Sequence, residues 1–397
     1  MTLPPLKLKK NEDNRLRAGH LWIYSNEIDA HATPLTGFAP GQQVELLAHN
    51  GKSLGLAYVN PHSLICARLV SRDTEHPLGL SLLKHRLNIA LSLRAALFPS
   101  PCYRLVHGEG DFLPGLVVDR FFDVLVVQIT TAGMEQVKDE IIAALEKVVQ
   151  PQAILLRNDS GIRQMEGLPS YVETALGTVP EQVALEENGV RFAAPVQGGQ
   201  KTGWFYDHRL NRARMREYVK GKRVLDIFSY IGGWGVQAAA AGAKEVVCID
   251  SSAFALDLVH HNAGLNGCAE RVSTLEGDAF EAAKALRDER EQFDVVVLDP
   301  PAFIKRRKDV KEGTLAYRRI NELAMRLLAK DGILISASCS HHLTRESLQE
   351  VLLQSSRHLD RSLQILEQGH QGPDHPVHPA IPETEYLKAF FARVLPS

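Results

Sequence analysis

Apolar residues along this chain recur with two different periods, and the change of period divides the chain into three parts. Up to about Val70 the apolar runs are short and alternating or β-branched, as at 43–47 and 63–69, and turn residues separate them. Residues 80–98 carry apolar positions at helical spacing, and two strands around a tight turn, a helix over 134–149 and a strand over 153–157 follow. Beyond Val190, apolar runs alternate with helical segments.

This pattern predicts three domains. Residues 1–72 are expected to form a small β-barrel, residues 73–188 a central α+β domain, and residues 189–397 an α/β domain with a Rossmann-like, mostly parallel sheet. The final apolar run, at 385–395, is expected to add an antiparallel strand at the edge of that sheet. A polar stretch broken by Pro77, at 72–79, is the expected linker between the first two domains.

The third domain opens on a strand, a glycine loop and a helix. An apolar run stops on Asp226, passes through a loop to Gly232 and Gly233, and continues into an alanine-rich helix at 236–241. The next apolar run ends on Asp250, where the second strand of a Rossmann-type unit offers a carboxylate to a ribose diol. The stretch predicts a cofactor that carries a nucleoside, whereas an ordinary βα turn would use the same glycines only for packing.

The negative charge of Asp226 indicates which of these cofactors the loop can bind. A dinucleotide would place its pyrophosphate at the helix N-terminus, where the carboxylate of Asp226 would repel it. S-adenosylmethionine has no phosphate and carries a sulfonium and an amino group, both cationic, which an acidic residue beside a glycine turn favours. We therefore expect S-adenosylmethionine as the cofactor and S-adenosylhomocysteine as its product.

Two other stretches are expected to contact the cofactor. Residues 197–209 lack the G-x-x-x-x-G-K-[ST] spacing of a phosphate loop, so we expect them to fold over the cofactor, with Phe205 stacked on it and Arg209 or Asp207 paired to its polar groups. Asp278 ends the third strand, where its carboxylate and the Ala279 amide can reach an adenine edge. The expected cofactor residues are Lys201, Phe205, Arg209, Asp226, Ser229, Tyr230, Gly232, Gly233, Asp250, Ser251, Asp278 and Ala279.

Two further strands end in residues suited to catalysis. The apolar run 293–298 ends in D-P-P-A-F, whose prolines fix the chain and direct Asp299 towards the edge of the sheet at which open α/β sheets bind ligands. This motif points to a methyltransferase that acts on a nucleobase or an amide. The run at 332–338 leads into Cys339 at the same edge, so Cys339 and Asp299 are the expected catalytic residues. The alternative for Cys339 is an inert core thiol.

Basic residues cluster in two places. One cluster directly follows the Asp299 motif, and the other surrounds Trp22 and Tyr24, mixing cations with aromatic rings as RNA-binding surfaces do. A solvated face is the alternative interpretation of each cluster. The residues expected to bind RNA are Lys305, Arg306, Arg307, Lys308, Arg15 and Arg17.

Composition sets the remaining limits. The chain of 397 residues has 45 Lys and Arg against 47 Asp and Glu, so any RNA partner must be bound by local basic patches. Its five cysteines are scattered without a C-x-x-C pair, and neither a signal peptide nor a membrane-spanning run is present, so we expect a cytoplasmic protein. The histidines near Cys339 lack the spacing of a zinc site, and no metal is expected.

Several motifs resemble one family of enzymes. The stretch R-x-x-H-x-W-I-Y-S-N-E-I, at 17–28, resembles the start of a PUA domain, an RNA-binding pseudo-barrel, and residues 104–119 are similar to the central domain of methyltransferases that carry it. Together with K-T-G-W-F-Y-D-H-R, D-I-F-S-Y-I-G-G, D-P-P-A-F and S-C-S, nearly the whole chain resembles the bacterial 23S ribosomal RNA cytosine-5 methyltransferases with an N-terminal PUA domain.

The resemblance implies a mechanism. Carbon 5 of cytosine is a poor nucleophile, so the thiolate of Cys339 would add to carbon 6 and create an enamine that takes the methyl group. Asp299 would protonate or hydrogen-bond ring nitrogen 3, and the target base would be unstacked to enter the pocket. The expected partner is 23S ribosomal RNA, and a homodimer is compatible with the chain.

One departure from the wider cytosine-5 class leaves alternatives open. Many of those RNA enzymes have a second cysteine directly after the proline of the fourth-strand motif, and this chain has Ala302 there. The residue that removes the proton from carbon 5 is therefore in doubt. A guanine or adenine amino-group methyltransferase, which needs no cysteine, and a non-catalytic RNA-binding protein are the alternatives.

Overall fold

The first part of the chain forms a small barrel, as its alternating pattern predicts. The protein is described by a computed structural model, which covers residues 3–397. Five strands form one sheet in the order β1-β3-β4-β5-β2. Backbone hydrogen bonds of 2.9 Å, from Lys9 N–H to the Glu27 carbonyl and from Asp29 N–H to the Lys7 carbonyl, join the segments that follow the two outer strands, which partly closes the sheet. The elements are β1 (Pro5–Lys7), α1 (Asn14–Arg17), β2 (Trp22–Tyr24), β3 (Gln43–Leu47), β4 (Ser53–Val59) and β5 (Ile65–Ser71).

A sheet covered by two helices follows, which confirms the predicted α+β arrangement. Its strands lie in the order β10-β9-β8-β7-β6, and the buried residues of α2 and α4 share one core with it. The helix expected over 134–149 is divided at Val137. The elements are α2 (Leu80–Leu97), β6 (Cys102–His107), β7 (Leu116–Phe121), β8 (Val124–Ile129), α3 (Ala132–Gln136), α4 (Lys138–Val149), β9 (Ala153–Asn158), α5 (Ile162–Met165) and β10 (Tyr171–Leu176).

The last part contains a hairpin and a seven-stranded sheet of Rossmann-like order, β15-β14-β13-β16-β17-β19-β18. Strands β13 to β17 are parallel to one another and are joined by helices. The elements are β11 (Val183–Glu187), β12 (Val190–Ala194), α6 (Arg209–Val219), β13 (Arg223–Ile227), α7 (Gly235–Ala240), β14 (Glu245–Asp250), α8 (Ala253–Leu265), β15 (Val272–Glu276), α9 (Ala279–Asp288), β16 (Phe293–Leu298), α10 (Val310–Leu327), β17 (Leu328–Ser338), α11 (Arg345–His358), β18 (Arg361–Gly369) and β19 (Lys388–Pro396).

The final strand corrects one detail of the predicted sheet. The sheet is mostly parallel with an antiparallel strand on one side, as expected, but that strand, β19, lies between β17 and β18. Residues 388–392 of β19 are buried on both faces, whereas side chains of β18 alternate between partly buried and exposed. A strand that is apolar on both faces fits the interior of a sheet, so β18 takes the edge.

The chain divides into two compact units. One consists of Met1–Val183, Ala194–Tyr206 and Pro373–Thr384, and the other of Ala184–Ala193, Asp207–Gly372 and Glu385–Ser397. We call them the barrel unit and the sheet unit. The three-domain limits at 72 and 188 stay a prediction. Within residues 3–397, no helix is both long and apolar enough to span a membrane.

Candidate active site

The expected acidic residues meet at one edge of the seven-stranded sheet. Asp226 lies in β13, Asp250 ends β14, and Asp299 directly follows β16. The order of strands reverses between β13 and β16, and such a switch point is where open α/β sheets bind ligands. Burial foremost, and in addition the negative charges of Asp299 and Asp250, raise the pKa of Asp226.

The glycine loop after β13 requires its glycines. Gly232 has a φ of +84°, a conformation that side chains disfavour. A Cβ atom at Gly235 would lie 2.4 Å from the Cys248 sulfur and 3.1 Å from Oδ2 of Asp226. Phe228 and Tyr230 also have positive φ, 68° and 48°, and bulky residues adopt such angles mainly at functional loops.

Asp250 is held by backbone amides of this loop and of the turn after β14. The Tyr230 N–H donates to its Oδ2 at 2.9 Å and the Ser252 N–H donates to its Oδ1 at 3.0 Å. Ser229 is buried and its N–H donates to Ile249, while Ser251 is exposed. The carboxylate is therefore fixed at the end of β14, where the sequence predicts contact with a ribose.

Asp226 is fully buried and has an incomplete set of hydrogen bonds. The Gly235 N–H donates to its Oδ2 at 2.8 Å, but among the described residues none donates to its Oδ1. Burial raises the pKa of Asp226 to about 7, and the Gly235 N–H and Arg212 only partly oppose that rise. A buried carboxylate without enough donors favours a cationic ligand.

Asp278 and Ala279 lie where the third strand passes into a helix. Oδ1 of Asp278 accepts from the N–H groups of Phe280 at 2.9 Å and Glu281 at 3.2 Å, so it caps α9. Ala279 is the first residue of that helix and is buried. An adenine contact from these two residues stays a prediction.

Two side chains that the sequence did not predict at this site, His208 and Trp234, contact the carboxylate of Asp299. His208 Nε2 lies 3.1 Å from its Oδ1, and the Trp234 indole N–H donates to its Oδ2 at 3.0 Å. Asn211 Nδ2 lies 3.1 Å from His208 Nδ1. Burial alone would raise the pKa of Asp299, but the nearby His208 and the hydrogen bonds from His208 and Trp234 outweigh it, so the pKa is lowered.

Arg209 and Arg212 of α6 share a buried carboxylate, Glu187. Oε1 of Glu187 lies 2.5 Å from Arg212 and accepts from Gln237 of α7 at 2.9 Å, and Arg209 Nε lies 4.0 Å from its Oε2. This network joins α6 to α7 behind the glycine loop. A direct cofactor contact from Arg209 stays a prediction.

Lys201 and Phe205 belong to the barrel unit, where the Lys201 ammonium lies 4.9 Å from the centre of the Phe205 ring. Their segment is anchored there by Thr202, whose hydroxyl donates to Asp119 at 2.6 Å, and by Arg157, which donates to the Gly199 carbonyl at 3.0 Å. The role predicted for Lys201 and Phe205 at the cofactor stays a prediction.

Cys339 lies at the end of β17, and of the five cysteines it is the one that is not buried. A hydrogen-bonded chain fixes the serines on both sides of it: Ser338 donates to the Tyr317 hydroxyl at 2.9 Å, which lies 2.8 Å from the Ser340 hydroxyl. Ser338, Ser340 and Tyr317 are all fully buried. Because β16 and β17 are neighbouring parallel strands, Cys339 and Asp299 lie at the same edge of the sheet.

The two basic clusters differ in their surroundings. Residues 305–308 are all exposed, and Arg306 pairs with Asp309 at 3.1 Å. In the barrel unit, Arg15 pairs with the buried Glu27 at 2.6 Å and lies over the Tyr24 ring, while Arg17 pairs with Asp13 at 2.6 Å. RNA binding by either cluster stays a prediction, and the internal pairs favour a structural role for Arg15 and Arg17.

The site suits the predicted cofactor. Asp226 offers a buried, partly unsatisfied carboxylate to a cationic group, and Asp250 offers a fixed carboxylate to hydroxyls. Within residues 3–397, no three His, Cys, Asp or Glu side chains come together as metal ligands would.

The chain is similar to several known proteins over nearly its full length. A family of S-adenosylmethionine-dependent methyltransferases matches residues 103–393, and PUA-like domains match residues 6–72. Ribosomal RNA large subunit methyltransferase I of Cronobacter sakazakii is 35% identical over 399 residues, which cover 98% of this chain and 99% of that protein.

Two solved structures share the fold. A Streptococcus mutans protein assigned as an S-adenosylmethionine-dependent methyltransferase has a TM-score of 0.83 at 20% identity and covers 98% of this chain and 100% of its own. The methyltransferase SMU.776, solved as a complex with SAH, has a TM-score of 0.83 at 21% identity, with 99% and 100% covered.

Proposed function

The chain belongs to the ribosomal RNA large subunit methyltransferase I family of S-adenosylmethionine-dependent methyltransferases, and from this premise we propose that it methylates carbon 5 of a cytosine in 23S ribosomal RNA through a covalent adduct with Cys339. Its cofactor is S-adenosylmethionine. Asp226 would hold a cationic group of the cofactor, and Asp250 its ribose hydroxyls. When bound, the cofactor supplies an electrophilic methyl group on sulfur.

One observation carries the proposal: Cys339, the cysteine that is not buried, and Asp299 follow neighbouring parallel strands at the ligand edge of the sheet. A methyltransferase that acts on an amino group uses the nitrogen itself as the nucleophile and has no need of a thiol. Cytosine carbon 5 becomes nucleophilic only after a group adds at carbon 6. The placement of Cys339 therefore supports the cytosine-5 reaction.

The first step is addition of the Cys339 thiolate to the base. The sulfur forms a bond to carbon 6, the electrons of the double bond between carbons 5 and 6 move towards carbon 5 and ring nitrogen 3, and nitrogen 3 takes up a proton from solvent. Carbon 5 would then take the methyl group, whose bond to the cofactor's sulfur breaks and leaves S-adenosylhomocysteine. A base finally removes the carbon 5 proton, the double bond re-forms as the thiolate leaves, and nitrogen 3 returns its proton to solvent.

Asp299 has a defined role in this sequence. Its lowered pKa means that the carboxyl group is ionised when the base arrives. It therefore accepts a hydrogen bond from nitrogen 3 after that nitrogen is protonated, or from the neighbouring 4-amino group, and does not deliver a proton of its own. The Trp234 indole, which donates to Oδ2, and the His208 ring, whose Nε2 lies 3.1 Å from Oδ1, hold the carboxylate plane for this contact.

Two features support ribosomal RNA as the substrate. The relative from Cronobacter sakazakii is a ribosomal RNA large subunit methyltransferase, and the exposed cations 305–308 follow the Asp299 motif directly in the chain. Cations at that place can bind the phosphates that flank an unstacked base. A homodimer stays a prediction of the sequence.

Trapping the adduct tests the proposal. With RNA that carries 5-fluorocytosine at the target, the final elimination fails because fluorine cannot leave as a cation, and a covalent protein–RNA complex is expected in a denaturing gel. Cys339→Ala should lose both this adduct and methylated product while it keeps cofactor affinity, because the thiol contacts the base.

Cys268→Ala is the matched control, since the Cys268 thiol is buried and donates to the Ala263 carbonyl at 3.4 Å. That variant should form the adduct as the wild type does. Full methylation of ribosomal RNA by the Cys339→Ala protein would overturn the cytosine-5 reaction and favour transfer to an amino group.

A further inference from the structure

A buried lysine approaches the segment that contains Cys339. Lys388 begins β19 and is only 7% exposed, which is uncommon for a lysine. A buried ammonium is costly to desolvate, so its retention calls for a nearby acceptor or anion. No step of the proposed reaction has so far used it.

Contacts with the residues on both sides of Cys339 fix the position of Lys388. In the antiparallel pairing of β17 with β19, Lys388 lies opposite Ser338, and its ammonium donates to the carbonyl of Ser340 at 2.7 Å. The side chain therefore spans from one neighbour of Cys339 to the other. The ammonium is therefore held at the turn that contains the thiol.

Other charged groups around this turn are few and identifiable. Burial lowers the pKa of Lys388 to about 8, the thiolate charge of Cys339 and the carboxylate of Glu385 oppose that change, and Arg345 adds to it. On the other side of the turn, Tyr317 is neutral, because burial foremost, together with the charge of Cys339, raises its pKa. His341 and His342 follow in the chain.

We propose that Lys388 is a positioning residue that stabilises the thiolate of Cys339, so that the nucleophile is ionised near neutral pH. Near neutral pH, below its pKa of about 8, the ammonium keeps its proton, and the thiol proton passes to solvent. The catalytic role of Lys388 rests on the proposed function, but the ionisation of the Cys339 thiol can be measured in the protein without RNA. A lysine that served only to satisfy the Ser340 carbonyl would leave the thiol unchanged.

The pH dependence of alkylation measures this directly. The rate of reaction of Cys339 with iodoacetamide, followed by mass spectrometry of its peptide, reports the thiolate fraction at each pH. In the wild-type protein the Cys339 pKa is expected below the ordinary value of about 8.5. Lys388→Met should raise it by about one to two units and slow alkylation at pH 7 by roughly tenfold or more.

Two variants separate charge from packing. Lys388→Arg keeps the positive charge and should keep most of the lowered pKa, whereas Lys330→Met removes an exposed lysine from the far end of β17 and should change nothing. A wild-type Cys339 pKa at or above about 8.5 overturns the proposal even where Lys388→Met fails to fold. An equal change in Lys388→Arg and Lys388→Met overturns it as well.

The adduct experiment keeps this inference distinct from the proposed function. If 5-fluorocytosine RNA traps Cys339 but the alkylation profile of Lys388→Met matches the wild type, the role of Lys388 is wrong and the cytosine-5 reaction holds. If no adduct forms but the Lys388→Met profile shifts as expected, Lys388 does tune the thiol and the cytosine-5 reaction is wrong.

Discussion

At the scale of single residues, two carboxylates of one site have opposite pKa shifts because their donors differ. Both lie at the same sheet edge, and burial acts to raise the pKa of each. Asp299 has a histidine and an indole N–H on its two oxygens, so its charged form is favoured. Asp226 has one backbone donor, so burial wins and its pKa rises to about 7.

Asp226 should make cofactor binding depend on pH. A cationic ligand favours the ionised carboxylate, so affinity for S-adenosylhomocysteine should rise between about pH 6 and 8, and binding below pH 7 should release part of a proton. In the protein without ligand, pH has the opposite effect on folding stability, because a raised pKa in the native state favours folding of the protonated form. The stability that this group contributes is therefore present below about pH 4 and is lost as pH rises through about 7.

Calorimetry in buffers of different ionisation enthalpy measures the released proton. Asp226→Asn, which cannot ionise, should bind S-adenosylhomocysteine with an affinity that depends less on pH and should release fewer protons on binding. If the wild type and Asp226→Asn released the same amount at every pH, Asp226 would not be the titrating group.

At the scale of elements, the start of α7 depends on a glycine that the helix itself does not need. Alanine normally stabilises a helix by up to about 1 kcal/mol relative to glycine. At Gly235, however, the new Cβ would lie 2.4 Å from the Cys248 sulfur on β14. The helix and strand approach so closely that only glycine fits, and this contact sets the position of the loop between them.

Two alanine variants should therefore change stability in opposite directions. Gly235→Ala should lower the free energy of unfolding by about 1 to 3 kcal/mol because β14 or α7 must shift. Gly264→Ala, in α8 with nothing within 4 Å of the new Cβ, should raise it by about 0.5 to 1 kcal/mol. Urea unfolding measures both, and a Gly235→Ala protein as stable as the wild type would contradict the close approach.

At the scale of the whole molecule, net charge and local charge act differently on RNA. The formal net charge is −2, so general attraction to phosphate is absent and binding must rest on patches. The four exposed cations 305–308 form one such patch. Arg15 and Arg17 are engaged in ion pairs inside the barrel unit.

Salt dependence should distinguish the two clusters. Replacing Lys305, Arg306, Arg307 and Lys308 with alanine should reduce the slope of log affinity against log salt by up to about 3, since each phosphate contact adds roughly 0.7 to 0.9. Replacing Arg15 and Arg17 should reduce it by less than 1. An unchanged slope in the fourfold variant would make residues 305–308 a solvated loop.

Much of the site was determined by the sequence alone. Asp226, Asp250, Asp299 and Cys339 each end an apolar run, and consecutive parallel strands joined by helices place their carboxyl ends at one edge of a sheet. Local pattern is therefore enough to bring these residues to one edge. The sequence also predicted the glycine loop after β13, because backbone conformation is a local property.

What surrounds those residues was decided only by the tertiary structure. His208 and Trp234 reach Asp299 from distant parts of the chain, and Lys388 reaches the Cys339 turn because β19 inserts between β17 and β18, not at the edge where the sequence placed it. Arg15, which looked available to RNA, is paired with Glu27. Each of these contacts depends on burial and hydrogen bonds between residues far apart in sequence, and such long-range pairings leave no periodic signal in the chain.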